Sequence, residues 1–95
     1  MPLMTIAQNR EHILQRMREG GEAAQRLLRT GQAAMVARWN PTGLPEMSLS
    51  RYSYGSRAFT AAKRMVDAGE IIVAGGALEN GEAHLLAGPN FPKEA

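Results

Sequence analysis

Four basic residues, Arg51, Arg57, Lys63 and Arg64, fall between Met47 and Val66 with no acidic residue among them. Guanidinium and ammonium groups gathered in this way suit the neutralisation and hydrogen bonding of phosphate oxygens. From Asp67 to Ala95, five acids stand against Lys93 alone. The positive field therefore belongs to one segment, although the net charge is only +2. The plain alternative is a solvated face, since the chain also carries Arg10, Arg16, Arg18, Arg26, Arg29 and Arg38.

Other chemistries are poorly served. His12 sits among polar helix positions and His84 in a strand-like run, neither with a partner at metal-ligand spacing, so no metal is expected. Glu79 and Glu82 are close but belong to an exposed tip, where nothing desolvates them to raise a pKa. There is no cysteine, no serine in a nucleophile-elbow setting and no loop long enough to shape a pocket. Gly75-Gly76 lacks the helix-opening glycine pattern of a phosphate-binding loop. The expectation is a non-enzyme without a cofactor. Trp39 is expected in the core or an interface rather than as a stacking platform.

The chain has 95 residues, of which 44% are hydrophobic and 21% charged. That is enough apolar content for one ordinary folded domain, here residues 1–95, and too much for general disorder. The start, MPLMTIAQNREH, has no charged segment leading into an apolar run, and no stretch of about 18 apolar residues occurs. Secretion and membrane spanning are not expected, and cytoplasm is the default compartment.

Near the amino end, Thr5-Ile6-Ala7-Gln8 has capping-box spacing, and Ile6, Ile13, Leu14 and Met17 continue at helical intervals. A first helix from Thr5 to Glu19 is expected to stop at Gly20-Gly21. A second then carries Ala23, Ala24, Leu27 and Leu28, with Arg26 and Arg29 near its end and Gly31 beyond. Residues 1–31 thus read as a helix pair, residues 32–88 as the core, and residues 89–95 as an irregular tail with Phe91 against the core. A short strand is expected over Ala33–Trp39, ended by Asn40-Pro41-Thr42-Gly43.

Two readings fit LPEMSLSRYSYG. As a strand it alternates serines with Met47, Leu49 and Arg51 and pairs with Ala33–Trp39. As a helix it starts with Pro45 and stops before Gly55. The helix is preferred because the segment after Gly55 is a basic helix that it would support. Ser56 reads as an N-cap, Ala58, Phe59, Ala62, Met65 and Val66 form an apolar stripe, and Gly69 supplies a left-handed stop. Arg57, Thr60, Ala61 and Arg64 are left on the outer side with Lys63 at the flank. A strand from Glu70 to Ala74 comes next. Asn80-Gly81 then reads as a two-residue hairpin turn that puts Glu79 opposite Glu82, Leu78 opposite Ala83 and Gly76 opposite Leu85.

This α+β order, helix pair, strand, helix, turn, basic helix, strand and hairpin, resembles the winged helix-turn-helix family over Ala33–Ala87. The resemblance makes residues 42–51 the supporting helix and its lead-in, Tyr52–Gly55 the turn and helix 56–68 the recognition helix, entering a DNA major groove beside a hairpin wing. It implies a sequence-specific double-stranded DNA-binding protein, a small transcriptional regulator or a phage- or plasmid-type accessory factor, working as a homodimer. Arg57 and Arg64 would contact bases or backbone, and Thr60 and Ala61 would line the groove. Ser56 and Tyr54 would hold phosphates near the helix start, with Lys63 and Arg51 adding backbone contacts. The hairpin tip Glu79-Asn80-Gly81-Glu82 is acidic where a DNA-touching wing would be basic. That supports a rival expectation, a protein-binding module, inhibitor or adaptor, using this tip and nearby apolar surface on a protein partner.

Overall fold

A computed structural model describes residues 3–31 and 40–93. The chain opens with α1 (Ile6–Arg29). Its start is the expected capping box: the Gln8 amide donates to Thr5 Oγ1 at 3.0 Å and the Thr5 amide to Gln8 Oε1 at 2.8 Å. The buried stripe is Ile13, Leu14, Met17 and Ala24.

The expected helix pair is one continuous helix. Gly20 and Gly21 lie inside it because a second segment of backbone crosses α1 there. A Cβ on Gly21 would stand 2.9 Å from Pro45 Cα, and one on Gly20 would overlap the Glu46 carbonyl. The glycines lower intrinsic helicity by about 1 kcal/mol each, and their bare surface lets strand and helix touch.

The expected strand over Ala33–Trp39 lies outside the described residues. Asn40 closes the turn after it: its Nδ2 donates to the Leu44 carbonyl at 2.9 Å and its Oδ1 accepts from the Leu44 amide at 2.8 Å. With both side-chain ends satisfied, Asn40 is buried at 1% exposure.

Residues 46–50 form a strand, β1 (Glu46–Ser50), where a supporting helix was preferred over residues 42–51. Alternation decides it, for Met47 and Leu49 point into the core while Ser48 stays exposed. Helical spacing would have divided Met47 from Leu49. The helical part shrinks to one turn, α2 (Arg51–Tyr54), where Tyr52–Gly55 was expected as a bare turn. Gly55, at φ 82°, swings the chain into α3 (Ser56–Asp67). Gly69 ends it at φ 73° as expected.

Two strands complete an antiparallel sheet, β2 (Ile71–Ala77) and β3 (Glu82–Ala87), in the order β1-β3-β2. The hairpin loop is longer than the two residues expected. Leu78–Asn80 make a 3-10 turn and Gly81 supplies the left-handed residue at φ 79°. Pairing therefore begins at Ala77 opposite Glu82, with Gly76 opposite Ala83 and Gly75 opposite His84. A bulge between Val73 and Gly75 then shifts the ladder, so that Val73 rather than Gly76 faces Leu85.

One face of the sheet packs on α1 and α3 through a single cluster. Ile13, Leu14 and Met17 meet Leu49, Ala58, Ala62, Met65, Ile71 and Leu85, all at 2% exposure or less. Each large aliphatic side chain buried in this way contributes about 1.5–3 kcal/mol. Phe91 in the tail packs against the same cluster, and the Arg18 guanidinium lies over its ring at 5.6 Å. Among the described residues no helix is long and apolar enough to cross a membrane.

Candidate nucleic-acid interface

Helix α3 sits on the sheet by Ala58, Phe59, Ala61, Ala62 and Met65, all buried. At 3.6 residues per turn this leaves Thr60 near the middle of the outer arc, with Lys63 to one side and Arg57 and Arg64 to the other. Ser56, Arg57, Thr60, Lys63 and Arg64 are exposed. Ala61, expected on this arc, is 2% exposed and belongs to the inner face, because its position lies next to that of Met65 around the helix, at the edge of the buried stripe. Asp67 is exposed at the carboxyl end, which confines the acid-free surface to the earlier turns.

The cations are held differently. Arg57 is tethered to the start of α1, its Nη1 donating to the Met4 carbonyl at 3.1 Å. Arg51 leaves the first turn of α2, and its guanidinium covers the Phe59 ring at 5.5 Å. Its backbone amide is bonded to the Gly81 carbonyl at 2.8 Å, which fixes α2 to the hairpin loop. Lys63 and Arg64 form no ion pair with a described residue. Between α3 and the hairpin lies a shallow groove of about 280 Å³, lined by Arg51, Ser56, Phe59, Thr60, Lys63, Leu78 and Glu79. Glu79 brings a carboxylate into an otherwise basic recess.

Ser56, expected as the N-cap, is the first residue of α3. The cap is Gly55, without a side-chain hydrogen bond to the helix start. The Ser56 carbonyl instead accepts from the Thr60 hydroxyl at 3.2 Å. Tyr54 is half-buried and turned toward α1, with its ring centroid 5.8 Å from that of His12. Its hydroxyl, together with Glu19, holds the Arg16 guanidinium above its ordinary pKa, the hydrogen bond to Tyr54 being the main cause. Of the eight expected contact residues, Arg51, Ser56, Thr60 and Lys63 share the groove. Arg57 and Arg64 lie on the opposite flank of α3, Tyr54 faces inward and Ala61 is in the core.

The other face of the sheet carries an arrangement that the spacing of residues did not disclose. Ser48 on β1 lies directly across from His84 on β3, with Ser48 Oγ 3.0 Å from His84 Nδ1. On the far side of the ring, His84 Nε2 is 3.0 Å from Glu46 Oε2. Glu46 is 9% exposed, so its carboxylate is taken up by this contact rather than by solvent. Alternation of small and apolar residues over residues 46–50 was the one available signal, and it marks a strand without naming its partner.

No family model, no characterised protein and no solved structure matches the chain.

Proposed function

We propose that the protein binds double-stranded DNA, laying the outer face of α3 in the major groove as a winged helix-turn-helix domain does. The observation that carries this reading is the exposed arc of Arg57, Thr60, Lys63 and Arg64 on a helix seated firmly in the core. A packed helix with the short side chain of Thr60 at the centre of its outer arc and cations at the flanks suits close approach to a duplex. Two further features agree with it. The start of α3 has no side-chain cap, which leaves first-turn amides for a phosphate. The helix also leads directly into a two-stranded hairpin, the position of a wing. The turn of the motif is Gly55, and the helix before it is the single turn α2.

Such a domain would act as a small regulator of transcription or a phage- or plasmid-type accessory factor, pairing as a homodimer on two-fold sites. The test is affinity for random duplex DNA across a salt series. Log affinity falls linearly with log salt if phosphates are neutralised. Absence of binding at low salt removes the reading.

A second reading is favoured by the position of Glu79 in the groove and by the exposure of Glu82. In it the tip Glu79-Asn80-Gly81-Glu82 meets a basic protein surface. Binding to a protein partner that depends on Glu79 and Glu82, with no response to duplex DNA, distinguishes it.

A further inference from the structure

We propose that Ser48, His84 and Glu46 form a nucleophilic site for small carboxylic esters on the sheet face opposite the core, separate from α3. The protonation pattern follows from valence. A carboxylate only accepts hydrogen bonds, so the 3.0 Å contact between Glu46 Oε2 and His84 Nε2 places a proton on Nε2. In its neutral form the ring then has a lone pair on Nδ1, to which the Ser48 hydroxyl, 3.0 Å away, donates. A hydroxyl, a general base and an orienting carboxylate stand in line, which are the geometric roles of a serine nucleophile. The ring offers Nδ1 to the serine and Nε2 to the acid. Either imidazole nitrogen serves as base once the other is held protonated.

Burial sorts the three in the order the chemistry needs. The Glu46 side chain is 12% exposed and that of His84 27% exposed, while Ser48 is exposed. The two sheltered groups hold each other, and the reacting one faces solvent. The β-ladder fixes the geometry, because Ser48 and His84 are direct cross-strand partners in the middle of β1 and β3. Ser48 opens onto two shallow recesses. One, of about 320 Å³, is lined by Gly75, Gly76 and Glu82, where the two glycines leave room beside the nucleophile. The other, of about 550 Å³, is lined by His12, Arg16 and Ser53, with the Arg16 guanidinium adding positive charge to its wall. Both suit a small acyl group.

In the reaction Ser48 Oγ attacks the ester carbonyl while its proton passes to His84 Nδ1. The new Oγ–C bond forms, the bond to the leaving alcohol breaks, and that alcohol carries away the proton from Nδ1. Water then attacks the acyl-serine with Nδ1 again taking the proton. The carboxylic acid is released and Ser48 is restored. Glu46 keeps Nε2 protonated throughout and stabilises the imidazolium formed in each step.

The test is acetylation of the full chain by p-nitrophenyl acetate, with peptide mapping of the product. Ser50, Ser53 and Ser56 in the same chain act as internal references. The expected result is release of p-nitrophenol with the acetyl group on Ser48, abolished by Ser48→Ala. The Ser48 rate should fall by about 10²-fold or more in His84→Gln, the range general-base catalysis supplies. Glu46→Gln should slow it less while retaining the fold by circular dichroism. Acetylation of Ser48 no faster than of Ser53, or a rate on Ser48 unchanged by His84→Gln, overturns the proposal.

Discussion

Gly20, midway along α1, meets the carbonyl oxygen of Glu46 so closely that a methyl group on its Cα would overlap that oxygen. Ordinary helix propensity favours alanine over glycine at an interior position by about 1 kcal/mol. The close crossing reverses the sign. Gly20→Ala forces β1 away from α1 and is expected to destabilise the fold by about 1–3 kcal/mol, the usual cost of overpacking. Urea unfolding measures it, and a gain in stability would mean that α1 and β1 do not touch at this point.

Replacing Arg57 and Arg64 together removes two cations from the outer face of α3. Both are exposed, so folding stability should change by no more than about 0.5 kcal/mol for each. The slope of log affinity for duplex DNA against log salt should shrink by about 1.8, close to 0.9 for each phosphate that is no longer neutralised. An unchanged slope would place the DNA-binding surface elsewhere.

Neighbouring positions on α3 should respond in opposite ways. Ala61→Leu inserts bulk beneath a residue that is 2% exposed and is expected to cost about 1–3 kcal/mol. Thr60→Ala removes only an exposed side chain and its bond to the Ser56 carbonyl, a change of about 0.5 kcal/mol or less. Thermal denaturation of the two variants checks the orientation of the helix independently of any ligand. Equal effects would rotate the face assigned to DNA.

Arg10 joins α1 to the start of β2 through two hydrogen bonds to Glu70, one of them from Nε at 3.2 Å. The bond to Glu70 is the main reason the Arg10 pKa is raised. A raised base contributes stability that is fully present below its unfolded pKa and is lost only as pH climbs through the folded one. For arginine that range is strongly alkaline, so this contribution stays flat between about pH 6 and 9. Glu70→Gln should cost about 1 kcal/mol or less, since the Arg10 side chain is 36% exposed. The difference should narrow in high salt. A variant as stable as the parent at low salt would make the pair energetically silent.

Elements with local signals were legible in the sequence. Helix α3 combines an apolar stripe with a stop at Gly69, and the Asn40 turn and the hairpin each lie within a few residues of their markers. Gly20-Gly21 misled because a glycine pair has the same local meaning at a helix end and at a close crossing, and only the strand over it separates the two. β1 misled because its partner His84 lies 36 positions from Ser48, beyond any short-range pattern. The hairpin register moved because Leu78–Asn80 turn as a 3-10 unit. The pairing of β1 with β3 brings Ser48, His84 and Glu46 together, so a site made by strand pairing could not be read from spacing. The exposure of Arg51, Ser56, Arg57, Thr60, Lys63 and Arg64 was legible, whereas the burial of Ala61 and Tyr54 depends on packing against the rest of the fold.

The bulge in β2 has a bearing on how the molecule keeps to itself. Among the described residues β2 ends the order β1-β3-β2, and it contains no charged residue or proline over Ile71–Ala77 and exposes Ile72 and Val73. A flat strand of that composition would template the addition of another chain and the growth of ordered aggregates. The irregularity between Val73 and Gly75 breaks the even spacing of amides and carbonyls along the rim and sharpens its twist. A second strand aligned with Ile72 would therefore fall out of step before it reached Gly76, which works against extension of the sheet along that rim.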